Sequence, residues 1–162
     1  MVSGSVTAAA AILVVFLVMR SRESRDPFVS DIVSSHVRSL MAQHLTDVAS
    51  SDQHTVKPWF DGKLDFAPPV KDFSSQGFPL IGGRLEYLNN RAVAALIYQR
   101  RKHFINLYIW PAEQSNATSE VGTMRQGYNL LHWTNSGMTY WAISDLNGVE
   151  LHEFARLVQE GQ

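Results

Sequence analysis

Apolar and polar positions divide the chain into an apolar start, a helical stripe, a ring-rich middle, a block of alternating segments and a short terminal stripe. After Asp26-Pro27, residues Val29, Ile32, Val33, His36, Val37, Leu40, Met41, His44, Leu45 and Val48 recur at three- and four-residue steps. That spacing predicts one helix of about 20 residues with a single apolar stripe, opened by an Asp cap and a first-turn Pro. Ser and His interrupt the stripe too often for a coiled-coil seam. From Gly82 to Pro111 the period changes to two, and three antiparallel strands are predicted at 84–88, 92–99 and 104–110. Val93, Ala95 and Ile97 fall on one face of the middle strand and Ala94, Leu96 and Tyr98 on the other, so this strand should be central and covered on both sides. The polar run 112–127 reads as a loop, and 128–133 with 138–144 as a second hairpin across Asn135-Ser136-Gly137. Leu151, Phe154, Ala155 and Val158 give a last helix over 149–159, capped by Asp145 or Asn147. The expected fold is α+β, a mainly antiparallel sheet of about five strands covered by two helices, with an N-terminal membrane anchor helix.

Between Ser50 and Gly82 four of the six prolines mix with Trp59, Phe60, Phe66, Phe73 and Phe78. Five large rings have no use in a solvated linker, so this region should be ordered and anchored by its aromatics, with a short element somewhere in 56–64.

The first 25 residues stand apart. Val6 to Met19 is apolar except for Thr7 and is followed by Arg20, Arg22 and Arg25. The run offers about 14 to 16 residues against the roughly 20 of a full span, which makes a marginal single-pass anchor the best reading. The division is therefore residues 1–25 as anchor and juxtamembrane segment and 26–162 as a folded domain. Taken alone, the three arginines would place that domain in the cytoplasm.

A net charge of −1 gives no overall field to attract nucleic acid, and the absence of cysteine excludes disulfides and thiolate metal sites. Arg100, Arg101, Lys102 and His103 form the single basic cluster, read as a solvated hairpin tip. His36, His44 and His54 are expected to pack or hydrogen-bond, not to ligate metal, and Asp61, Asp65 and Asp72 fit capping better than a cation cluster. His132, Ser144 and Asp145 lie near one another on predicted strands, without the strained turn that presents a nucleophile. Trp59, Phe60, Phe66, Trp133 and Trp141 are candidates for an aromatic surface. In the segment from His54 to Phe60, His54, Lys57, Trp59 and Phe60 are the candidate partner or ligand surface, because they combine donors with rings in a non-repetitive stretch. No catalytic group, metal or cofactor is expected.

Three segments carry a resemblance: 34–73, beginning SSHVRSLMAQHL; 77–111, GFPLIGGRLEYLNNRAVAALIYQRRKHFINLYIWP; and 127–158, beginning GYNLLHWTNSGMTYWAISDLNG. In this order they resemble the extracytoplasmic part of bacterial transmembrane anti-sigma factors. The resemblance implies a non-catalytic sensor or regulatory domain in the periplasm, held by a single span in the inner membrane. It implies partners in membrane lipid, in a periplasmic regulator or protease, and in a sigma factor bound through a cytoplasmic zinc-binding head. No residue here can take the head's ligand roles, since its Cys-containing signature is missing; an additional head before Met1 would also reconcile the three arginines with an exported domain. An independent periplasmic module binding a ligand or protein is the alternative.

Overall fold

The computed structural model describes residues 26–41, 44–114 and 116–161, so the anchor expected at 1–25 lies outside the described residues. Among the described residues no helix is long and apolar enough to cross a membrane. In chain order the elements are α1 (Pro27–Leu40), β1 (Val48–Ala49), α2 (Gln53–Trp59), a 3-10 turn (Ser74–Gln76), β2 (Leu80–Leu88), β3 (Arg91–Arg100), β4 (His103–Pro111), β5 (Thr118–Arg125), β6 (Tyr128–Asn135), β7 (Met138–Ser144) and α3 (Gly148–Glu160).

The strands form one antiparallel sheet in the order β1-β2-β3-β4-β7-β6-β5. Among the described residues it has seven strands, where about five are expected from the pattern. The two additions are the edges. β1 is two residues long, and β5 is exposed along most of its length, so neither needs the apolar alternation by which strands are recognised. The segment 112–127, expected to be a loop, thus contains an edge strand.

β3 lies inside the sheet, and Val93 to Tyr98 are all buried, as its two apolar faces require. One face carries Ala94, Leu96, Tyr98, Ile105, Leu107 and Tyr140, packed under α2, the ring-rich segment and Leu151, Phe154, Ala155 and Val158 of α3. The opposite face carries Val93, Ala95, Ile97, Tyr108, Trp110 and Ile143, and receives Ile32 and Val33 of α1. The architecture is therefore α+β, with α1 on one face of the sheet and α3 on the other.

Helix α1 is shorter than its stripe predicts. Asp26 accepts from the Phe28 N–H at 2.9 Å as an N-cap, but Met41 is extended, and His44, Leu45 and Val48 lie beyond the helix. The apolar period continues past Leu40 because Leu45 packs on the same face from a connecting segment, while Val48 starts the edge strand. Periodicity records which side is buried and does not distinguish a helix from a chain returning to the same core.

Gly82-Gly83 marks close packing. A Cβ on Gly82 would stand 2.1 Å from the Val48 carbonyl oxygen, and one on Gly83 would stand 3.0 Å from the Phe60 ring. Gly82→Ala is expected to push β1 off the sheet edge and cost about 2 kcal/mol of stability, as overpacking does. Urea unfolding checks the cost. Unchanged stability would mean that β1 docks loosely.

Candidate functional site

The densest polar chemistry in the interior lies between α1 and the sheet. Ser35, His36 and Ser39 project from the buried side of α1. Arg84 and Glu86 alternate on β2, and Asn106 and Tyr108 on β4, all placed by the two-residue period on the face that α1 covers. Ser35, His36, Ser39, Arg84 and Asn106 are each at most 4% exposed.

Their hydrogen bonds form one network. The Ser35 hydroxyl donates to Glu86 Oε2 at 2.6 Å and lies 2.8 Å from the Tyr108 hydroxyl. Arg84 donates from Nη2 to the Tyr108 hydroxyl at 3.2 Å and from Nη1 to the Leu45 carbonyl at 3.1 Å, and its Nε is 3.4 Å from Glu86 Oε2. Asn106 Nδ2 donates to Ser39 Oγ at 3.0 Å and to the Tyr108 hydroxyl at 3.1 Å. Ser39 in turn donates to the His36 carbonyl at 2.7 Å. Each bond is modest alone, but a buried polar group that loses its partner pays its full desolvation cost. The network thus fixes one seating of α1 on the sheet. Burial pushes the Tyr108 hydroxyl's pKa up, against the nearby Arg84 charge, which keeps it a neutral donor and acceptor.

The network floors a pocket of about 500 Å³ lined by Arg38, Ser39, Met41, His44, Asp47, Arg84, Leu85 and Glu86. Two arginines, a histidine and two carboxylates face one space there, a lining suited to a small polar or zwitterionic group.

His36 is the exception within the cluster. Among the described residues neither of its ring nitrogens has a hydrogen-bond partner, nor does Asn106 Oδ1. The ring meets Tyr128 edge-on, with centroids 5.1 Å apart. Burial, and secondarily the Arg84 charge, hold its pKa down to about 4.

The residues singled out from sequence fall elsewhere. His54 and Lys57 are exposed on α2 and line a shallow pocket of about 230 Å³ with Gln53, Pro58 and Val70. Trp59 is half-buried, beneath Lys63 Nζ at 4.6 Å from its ring, and Phe60 is wholly buried against Val56 and Gly83. The four therefore divide between a polar surface and a core, because α2 turns Val56 and Phe60 inward and His54 and Lys57 outward. Of the proposed surface rings, Phe60, Trp133 and Trp141 are buried and Trp59 and Phe66 half-buried.

His132 and Ser144 stand on opposite faces of the sheet. His132 stacks on Trp141 at 4.4 Å, while Ser144 donates to the Phe104 carbonyl at 2.8 Å and Asp145 pairs with His103 at 2.9 Å. No hydrolytic constellation is assembled from them. Among the described residues no group of three His, Asp or Glu side chains converges to hold a metal ion. Asp72 instead accepts from the Leu80 N–H at 2.8 Å and the Ser74 hydroxyl at 2.7 Å.

The basic hairpin tip is tied down. Arg100 pairs with Glu150 at 3.0 Å, lies 4.6 Å over the Phe78 ring and donates to the Gly77 carbonyl, and Arg101 also pairs with Glu150. These contacts, first among them the Arg100 hydrogen bond, hold the Glu150 carboxyl below its usual range. They clamp the first turn of α3, where Asn147 accepts from the Glu150 N–H at 3.0 Å.

Sequence reasoning missed the polar network. Its signal is two polar pairs at i, i+2, Arg84/Glu86 and Asn106/Tyr108, inside otherwise apolar strands, together with the Ser and His that interrupt the α1 stripe. Compared with known proteins, the chain matches no family model, no curated protein and no solved structure.

Proposed function

We propose that residues 26–162 are the non-catalytic regulatory domain of a membrane-anchored anti-sigma regulator, placed in the periplasm by a span within residues 1–25. The observation that supports this best is the seating of α1. The helix that follows residues 1–25 in sequence is fixed to the sheet by a buried polar network, with Ile32 and Val33 as its fully buried apolar anchors, so a change in the domain can be passed to the tether. Two of the three resembling segments contribute to this network: Ser35, His36 and Ser39 come from the first, and Arg84, Glu86, Asn106 and Tyr108 from the second. The sigma factor is engaged through a cytoplasmic head, not through these residues.

A second reading, an independent periplasmic binding module, is favoured by the pocket of about 500 Å³ over the same network. Both readings require an exported domain. Residues 1–162 contain no cysteine, so Lys102→Cys at the exposed β3–β4 turn is a topology probe when read against the unsubstituted protein, which controls for any thiol of a cytoplasmic head. In spheroplasts of the source cell a membrane-impermeant maleimide is expected to label it; labelling only after lysis would overturn the placement. Native protein from the membrane fraction then separates the two readings. The anti-sigma reading expects a mass above 18.2 kDa and a co-purifying sigma factor, whereas a mass equal to this chain with no sigma factor supports the binding module.

A further inference from the structure

The α1–sheet contact contains a titratable group that the hydrogen-bond network does not use. His36 is 0% exposed and among the described residues neither ring nitrogen has a partner, so even its neutral form pays a desolvation cost, and a proton on it would add a buried, uncompensated charge that costs far more. The groups facing it are mostly unhelpful to that charge. Arg84 from β2 repels it. Asp145, beyond β7, attracts it more weakly and is exposed, with one oxygen engaged by His103. From β4, Asn106 lies close enough to favour the charged ring slightly without meeting hydrogen-bond geometry. From β6, Tyr128 presents its ring at 5.1 Å, and on α1 itself Ser39 is committed to the His36 carbonyl.

We infer that His36 makes the seating of α1 an acid-released latch: protonation of its ring lifts the helix from the sheet while the sheet and α3 stay folded. The asymmetry of the two faces explains why one helix moves. α1 fully buries only Ile32 and Val33 among its apolar residues, with Val29 and Phe28 partly buried, the latter edge-on to Trp110 and Trp141; polar contacts supply the rest, the network together with Arg125 donating to Ser30 at 3.1 Å. α3 buries Leu151, Phe154, Ala155 and Val158, and its first turn is clamped by Arg100 and Arg101. Releasing α1 also lets water reach the network, so His36, Ser35 and Ser39 exchange their protein contacts for solvent together.

The direction follows from the ring's two environments. Seated, its pKa is about 4, and free in solvent it is near 6.5. The seated form is at full strength above pH 6.5 and weakens as the pH falls from there toward 4. His132 titrates in the same direction, since burial against Trp141 lowers its pKa while Asp26 partly offsets this. It is half-buried and stands near the other end of α1, so a test must separate the two histidines.

The latch itself does not depend on the anti-sigma reading; only its consequence for a tether does. The test uses the full chain in detergent micelles, with spin labels on Ser34→Cys in α1 and Thr123→Cys in β5, both exposed. Between pH 7.5 and 4 the ratio of open to seated helix is expected to rise on the order of a hundred-fold. His36→Phe, which keeps a ring against Tyr128, is expected to abolish most of that rise, and His132→Phe to leave most of it. Equal responses in wild type and His36→Phe would overturn the inference. If His36→Phe does not fold, the wild-type chain suffices, because ring NMR should show His36 protonating only as the label distance lengthens. A ring that protonates with α1 still seated would overturn it equally.

Discussion

Arg84→Ala is expected to destabilise the seated domain by about 3 kcal/mol, because it removes three contacts and leaves Glu86 and the Tyr108 hydroxyl short of a partner. The side chain is 4% exposed, so water cannot take its place without entering the helix–sheet contact. The loss should fall unevenly. α1 loses its seat, while the opposite core around α3 has no contact with Arg84 and keeps its packing. Arg84→Met combined with Glu86→Leu is expected to recover part of the loss, since a buried ion pair replaced by apolar groups of similar volume is often neutral or better. Urea unfolding of the single and double variants checks both statements. A single-variant cost below about 1 kcal/mol would mean that the network only decorates the contact.

Phe154→Ala should have the largest effect on the other face. Phe154 is 0% exposed, and its ring centroid lies 4.8 Å from that of Tyr98, 5.5 Å from Phe78 and 6.2 Å from Phe73. Truncation loses the transfer energy of the ring and leaves a cavity among three other rings that cannot all collapse into it. About 3–5 kcal/mol is expected, with a fall in Tm of roughly 10 °C by calorimetry. Because this ring joins α3 to the ring-rich segment, the variant should unfold as a whole and not release α1 selectively. A cost near 1 kcal/mol would show that the aromatic cluster repacks freely.

These two positions also show what can be read from sequence. The face of α3 that carries Phe154 was legible because a helix with one buried side writes a 3.6-residue period into its sequence. β3 was legible for the complementary reason, since a strand covered on both sides must be apolar at every position. The edge strands left no such mark. β5 pairs with β6 through its backbone while Val121 and Met124 remain exposed, so its side chains carry little information about its state. The end of α1 was obscured because Leu45 returns to the face that α1 covers, extending the period beyond the helix.

The site was less legible than the fold. His36 was noticed as an interruption of a stripe, but the residues that Ser35 and Ser39 beside it bond to lie on β2 and β4, some 50 to 70 residues away in sequence. Spacing along one element cannot report which polar residues of another will face it. The four residues chosen for mixed rings and donors failed as a group for a simpler reason. Val56 and Phe60, four residues apart at the end of α2, share the core side, while His54 and Lys57 lie on the solvent side. The basic tip is exposed at Arg101 and Lys102, as expected, but its pairing with Glu150 was not legible, because Glu150 comes from α3 and only the folded chain brings them together.

A buried polar network decides whether α1 sits on the sheet. Hydrogen–deuterium exchange of the full chain at pH 7, comparing wild type with Arg84→Ala, tests it most directly. The expected result is loss of protection across Pro27–Leu40, with the amides of β3, β4, β7 and α3 still protected. Protection lost everywhere together, or retained in α1, would contradict it.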